Sequence, residues 1–425
     1  MNEYLNYAIE ILKKLKSNGY DAYLVGGFVR DKVLGLKSND IDITTSATPD
    51  EVTSLFESVK DTGKKFGGVT VIFHGLKYEV TTFRLDGEYQ NHRHPSEVKF
   101  SENIIDDLKR RDFTMNALCM DEEENVIDKF NGLTDIEHKT IRTIHDPKDR
   151  FNEDALRILR AFRFVSKLGF TIEENTLEAI KSLKHLVKTI SIERVMIELD
   201  KIFKGDYQKE AINYMIETGV SDELYGLNKG LKYISNLKDY VQPLEVFIIS
   251  FILENDIDDI WKFSNNNYRL MKQVINLHEV TRDNEFNKYI LFSNKLDPCL
   301  LTNRINVLLG YKDQKDFLMK MYKEMPVMEV CDLAFKGQDI LALTTMHIPV
   351  LIGGVFGGRK AAYTLAFIFG LSSMINAMFN PLLLNEYFQN PLVSVLPRVL
   401  WGFVFYEIYL LMRKWIKNRY LGVSV

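Results

Sequence analysis

AYLVGGFVRDKVLG (22–35), followed closely by DIDI (40–43), is the stretch on which the reading of this 425-residue chain turns. AYLV has the apolar, β-branched character of a short strand, Gly26-Gly27 reads as a tight turn, and the segment after it as a helix carrying Arg30 and Asp31. A glycine turn lets an anion approach the backbone where a helix begins, and Arg30 adds a forked phosphate donor. IDITTS (41–46) alternates like a half-buried strand. Residues i and i+2 of a strand share a face, so Asp40 and Asp42 project together while Ile41 and Ile43 turn to the core. Two carboxylates so placed repel unless a cation lies between them. Mg²⁺, a hard ion that also touches substrate phosphates, is the natural partner. Together these features describe nucleoside-triphosphate chemistry.

Outward from this stretch, residues 3–17 read as a helix that stops at Asn18-Gly19. GGVTVIFHGLKYEVTTFRL (67–85) reads as two strands around a turn at His74-Gly75. Glu79 becomes a third carboxylate if its strand lies beside that of Asp40 and Asp42; otherwise it is an exposed strand residue. DGEYQNHRHP (86–95) reads as a mobile loop that touches substrate, and His92 and His94 resemble a metal pair only superficially. In KRRDFTMN (109–116) three cations stand beside Asp112 and Asn116 and run directly into apolar sequence, so part of the run, Arg111 included, faces a site.

From about 152 to 340 the pattern takes the helical period, with helices expected over 153–168, 173–184, 191–204, 207–218, 243–254 and 313–324. The strongest local pattern is EDALRILRAFR (153–163). Asp154, Arg157, Arg160 and Arg163 recur every three residues as a drifting stripe, opposite Leu156, Leu159 and Phe162. Like charges at that spacing repel, which an anion or a base edge laid against them would relieve. Aspartate and arginine together offer the acceptors and donors to read a base edge. A salt-bridged helix packed on the head is the alternative.

Apolar residues make up 46% of the chain and charged residues 26%, which fits folded domains and excludes a disordered or fibrous chain. The net charge of −4 means that nucleic-acid binding would need a local basic patch. Cys119, Cys299 and Cys331 lack CxxC spacing, which argues against a zinc site or a disulfide framework and suits a reducing cytoplasm. The N-terminal segment carries Lys and Glu within its helical pattern and does not read as a signal peptide.

These residues resemble the class II tRNA nucleotidyltransferases, the CCA-adding enzymes grouped with bacterial poly(A) polymerases. The matching motifs are LVGGFVRD (24–31), DIDI (40–43), RRDFTMNAL (110–118), DKFNGLTD (128–135), EDALRILRAFR (153–163) and SIERVMIEL (191–199). They stand in the family's order, and a weaker similarity runs on to DLAFKGQDIL (332–341). The resemblance implies an α+β fold: a nucleotidyltransferase head with a small mixed sheet (1–140), a helical neck (141–215) and a helical body (216–343). It implies that Asp40 and Asp42 hold Mg²⁺, with Glu79 as a further catalytic carboxylate. Gly26, Gly27 and Arg30 would contact the triphosphate, and Arg111, Asp112, Asn116, Arg160 and Arg163 would surround the nucleotide. Asp154 and Arg157 would read C or A. The implied function is template-independent addition or repair of the 3′-terminal CCA of tRNA from CTP and ATP. Poly(A) polymerase, and a membrane-tethered RNA-binding protein with an inactive head, are the alternatives.

The tail (344–425) departs from this pattern. Residues 361–379 carry no charge and 391–412 only Arg398 and Glu407, each about long enough to cross a bilayer. Arg359 and Lys360 precede the first stretch, Arg413, Lys414, Lys417 and Arg419 follow the second, and 380–390 holds Glu386 and no cation. That is a hairpin with both ends cytoplasmic. TTMHIPVLIGGVFGGRKAAYTLAFIFGLSSMINAMF (344–379) resembles part of the membrane-embedded substrate-binding subunit of energy-coupling-factor vitamin transporters. Three readings stay open: a membrane contact through 361–412, a fusion without function of its own, and a buried soluble hairpin.

Overall fold

The computed structural model describes residues 2–38, 40–86, 89–90, 94–95, 98–254, 260–325, 348–379 and 390–421. They fall into two units, Met1–Tyr322 and Lys323–Val425. DLAFKGQDIL (332–341), Cys331 and the expected boundary at 343/344 lie outside the described residues.

The first unit opens with the helix Asn2–Ser17. Ala8, Ile11, Leu12 and Leu15 are fully buried at helical spacing, and Gly19, at φ +87°, turns the chain away. The next elements build a seven-stranded mixed sheet. Its order is Val126–Asp128, Leu118–Met120, Ala22–Val25, Asp42–Thr45, Leu76–Thr82, Gly68–Phe73 and Val59–Gly63. Ala22–Val25 runs antiparallel to both of its neighbours, whereas Asp42–Thr45 and Leu76–Thr82 are parallel. His74 and Gly75, both at positive φ, make the two-residue turn joining Gly68–Phe73 to Leu76–Thr82. The segment read as a loop over 86–95 is framed by paired strands: Arg84–Asp86 with Val98–Phe100, and Tyr89–Gln90 with His94–Pro95. Residues 87–88 and 91–93, His92 among them, lie outside the described residues.

Five of the six expected helices follow closely: Glu174–Leu183, Ile192–Lys204, Gln208–Glu217, Pro243–Glu254 and Lys315–Lys323. The sixth is broken. Pro147–Glu153 ends at Asp154, which is extended (φ −139°, ψ 103°), and a new helix spans Leu156–Leu168. The all-helical expectation also misses one strand, Thr171–Ile172, which pairs in parallel with Thr140–Ile141. One apolar cluster runs from the first helix through the sheet and neck to Leu308, so head, neck and body share a core.

In the second unit, Ile348–Phe379 and Leu396–Leu421 are long helices, with the short turn Pro391–Ser394 before the latter. The first is interrupted at Gly358 (φ +76°). Arg359 pairs with Glu407 at 2.6 Å, the Tyr363 and Phe403 rings stack at 5.8 Å, and Arg398 lies 5.0 Å over Phe369. These three contacts fix an antiparallel hairpin. Its outer faces remain apolar and exposed, among them Phe367, Ile368, Leu371, Leu400, Trp401 and Val404.

Candidate active site

The edge where the sheet meets the neck carries a cleft of about 490 Å³, within the size range of small-molecule sites. Every expected site residue except Glu79 lines it: Gly26, Gly27, Arg30, Asp40, Asp42, Arg111, Asp112, Asn116, Asp154, Arg157, Arg160 and Arg163. The lining also includes Arg110, Lys167 and Arg194, which gives eight cations against the five carboxylates of Asp31, Asp40, Asp42, Asp112 and Asp154. The basic patch that the overall charge of −4 conceals is therefore here, inside the fold.

The glycine turn is shaped by crowding. Gly26 sits at φ +73°, and a Cβ there would come within 3.0 Å of Arg111 Nη1. The backbone conformation favours glycine, and a side chain there would also have to displace the tip of Arg111. Arg111 is steadied by Asp107 (Nη2 to Oδ2, 3.1 Å), while its buried Nε has no hydrogen-bond partner among the described residues. An unmet cationic donor beside a carboxylate pair suits an incoming anion.

Asp42 is the first residue of its strand, and Asp40 stands exposed in the approach to it. Ile41, between them, and Ile43, after them, are buried, so the alternation is as expected. The Asp42 carboxyl is pushed up to about 6 by burial and by the charge of Asp40, with Arg111 acting in the opposite direction. That repulsion is what a divalent cation would relieve, and two hard oxygen donors suit Mg²⁺ completed by substrate phosphates. Glu79 pairs in register with Asp42 but is exposed and does not line the cleft. Among the described residues no group of three or more His, Cys, Asp or Glu is placed to hold a metal.

A chain of polar contacts, buried at its centre and open at its two ends, joins head to neck. Lys167 reaches Asp31 at 2.9 Å, Asp31 accepts from Arg30 Nε at 2.8 Å, and Arg30 Nη1 donates to Asn116 at 2.6 Å. Asn116 donates to Asp112 at 2.9 Å, and Asp112 accepts from Arg160 Nε at 2.7 Å. Burial opposes the ionisation of Asp112, but Arg160 and the donors around it hold its carboxyl down at about 2. Arg30, read from sequence as an open phosphate fork, is thus largely committed within the protein.

Phe164 anchors the cationic wall. The guanidinium carbons of Arg30, Arg160 and Arg163 lie 5.1, 5.6 and 5.4 Å from its ring centre. Arg157 is buried and bonded to Glu153 (2.6 Å) and to the carbonyls of Arg150 (2.8 Å) and Arg110 (3.0 Å). It holds the break between the two neck helices closed. Asp154, at that break, accepts from the Leu156 amide at 3.1 Å and from Arg194 Nη2 at 2.9 Å. Sequence reasoning passed over Phe164, Lys167 and Arg194; their roles arise from tertiary contact.

With this geometry in place, likeness to known proteins can be weighed. The family profile of the Poly A polymerase head domain matches residues 22–142, and that of the probable RNA and SrmB-binding site of polymerase A matches 169–227. A CCA-adding enzyme of Bacillus pumilus is 39% identical over 362 residues, covering 80% of this chain and 88% of that one. A CCA-adding enzyme of Lactobacillus helveticus is 37% identical, covering 79% and 86%. The crystal structure of the Bacillus stearothermophilus CCA-adding enzyme in complex with CTP has a TM-score of 0.71 at 32% identity, covering 81% of this chain and 89% of that one. Neither profile reaches the tail, and the transporter-subunit resemblance finds no support.

Proposed function

We propose, because this chain belongs to the family of CCA-adding enzymes, that it adds or repairs the 3′-terminal CCA of tRNA from CTP and ATP in the cytoplasm. The observation that carries the reading is the convergence of three separated motifs on one cleft: the glycine turn with its carboxylate pair, the RRD run, and the neck stripe. A head at 1–140, a neck at 141–215, a body at 216–343 and a tail at 344–425 is the division of labour that follows.

Enzymes of this kind are metal-dependent, and Asp40 and Asp42 are our assignment for Mg²⁺. When bound, the ion supplies charge that favours the ionised 3′-hydroxyl and offsets that of the phosphates. Arg111, with its unmet Nε, and the turn at Gly26-Gly27 hold the triphosphate, while Arg30 fixes the floor. The RNA 3′-oxygen bonds to the α-phosphorus, the bond to pyrophosphate breaks, and the hydroxyl proton passes to solvent. Asp112, Asn116, Arg160 and Arg163 frame the nucleotide. Asp154 supplies the acceptor that reads the base amine, beside Arg157.

The test is pyrophosphate release. A tRNA lacking CCA should release it with CTP, and one already ending in CCA should not. Sustained release with ATP alone would instead favour poly(A) synthesis.

The tail contacts a lipid surface in this reading. Pro391–Ile408 is long and apolar enough to cross a membrane by length and composition. In the sequence Arg359 and Lys360 precede the two apolar stretches and Arg413 and Lys414 follow them, where anionic headgroups would meet them. Flotation with vesicles containing anionic lipid should carry the full chain upward; protein left at the bottom would refute the contact.

A further inference from the structure

The helix Ile192–Lys204 presents two charged side chains one turn apart to the wall of the cleft, with signs opposite to those they meet. Arg194 Nη2 lies 2.9 and 3.2 Å from the two carboxylate oxygens of Asp154. Four residues on, buried Glu198 accepts from Arg163 at 3.4 Å through Oε1. Residues at i and i+4 share a helix face, so one rigid element addresses both groups. Arg194 itself lines the cleft.

We infer that Arg194 is a positioning residue for base selection, and that it sets the orientation in which Asp154 offers its remaining acceptor to a base. The inference rests on the reading of Asp154 as the group that meets the base amine. An ionised carboxylate has about four acceptor positions. In Asp154, Oδ1 serves the Leu156 amide and Arg194, and Oδ2 serves Arg194 alone. Oδ2 therefore keeps an acceptor position beyond Arg194, on a carboxylate that lines the cleft and is held by two anchors. Without Arg194 the carboxylate keeps only its amide anchor and can turn about its side-chain torsions. A loosely held acceptor also accepts wrong bases, because selectivity against them depends on a donor or acceptor held where the correct base needs it. Glu198 does the same for Arg163, while its second oxygen, Oε2, is buried without a hydrogen-bond partner among the described residues.

The experiment measures kcat and KM for CTP, ATP, UTP and GTP on tRNA lacking CCA, for wild type, Arg194→Ala, Arg194→Lys and Asp154→Ala. Arg194→Ala should lower the preference for CTP over UTP by roughly tenfold or more, the scale of one charged hydrogen bond. Arg194→Lys should recover part of that preference. A fall in rate by the same factor for all four nucleotides, while Asp154→Ala does shift the preference, would overturn the role of Arg194. Unchanged preference in Asp154→Ala would remove the reading beneath it. Thermal unfolding separates either result from misfolding, and if Arg194→Ala does not fold, Arg194→Lys decides alone: wild-type preference in it overturns the inference.

Discussion

The cleft and the tail hairpin treat charge and apolar surface in opposite ways. In the cleft, cations and carboxylates crowd together, most of them held by partners within the protein, beside the buried apolar side chains of Phe28, Leu156 and Phe164. In the tail, charge is nearly absent between Lys360 and Arg413, and large apolar side chains face outward. The first arrangement is costly to build and makes sense only where charged ligands arrive. The second is costly to leave in water and makes sense against an apolar partner. One chain therefore carries two surfaces whose chemistry calls for different surroundings.

The comparison breaks most sharply at Asp42. Asp42→Ala should reduce nucleotide transfer on the order of a thousandfold, as expected when the metal's charge stabilisation is lost. Filter binding of tRNA should be nearly unchanged, and wild-type turnover would defeat the metal assignment.

Next in size is the link between head and neck. Asp112→Ala leaves Arg160 without its carboxylate and Asn116 without its acceptor. Because Arg160 is partly exposed, a loss of about 2 kcal/mol is expected rather than the larger cost of a sealed ion pair. Urea unfolding measures it, and no shift in midpoint would mean that the network is ornamental.

The pH dependence sharpens the same contrast. With no cation bound, burial and the charge of Asp40 push the Asp42 carboxyl up from 3.8 to about 6, so the folded state binds that proton more tightly than the unfolded chain. Its contribution to stability is present below 3.8 and is lost as pH rises through 6. Metal binding runs the other way because it needs the carboxylate. Apparent Mg²⁺ affinity should fall by about tenfold per pH unit below that value. A flat affinity between pH 5 and 7, followed by calorimetry, would contradict the assignment.

The smallest effect on stability belongs to the tail. Phe367→Asp with Leu400→Asp replaces exposed side chains and should move unfolding by less than about 0.5 kcal/mol each. The same pair should abolish vesicle flotation. Large destabilisation without loss of flotation would point to a buried hairpin instead.

Much of the cleft is legible in the chain because its parts are local. The pairing of Asp40 with Asp42, the glycine turn and the arginine stripe all follow from strand and helix periods. Asp154 shows where that reasoning bends. EDALRILRAFR (153–163) has an unbroken helical pattern, yet the helix restarts at Leu156 and Asp154 accepts from its amide. An aspartate just before an apolar run is an N-cap signal, and giving it more weight would have placed the break. Glu79 shows what pattern leaves open: its strand lies beside that of Asp42, as one reading required, and its side chain is exposed, as the other had it. Arg194 and Lys167 could not be found locally, since Asp154 and Asp31 lie far from them in the chain. The helices Asn265–Thr281 and Leu296–Leu308 were missed because polar residues interrupt their apolar period.

The most direct test uses tRNA lacking its 3′ CCA, the full-length protein in mild detergent, and Mg²⁺, with product lengths read on a sequencing gel. Two residues should be added with CTP alone, and one further A when ATP is also present, after which extension should stop. Long A tracts, or no addition under any nucleotide condition, would contradict the account.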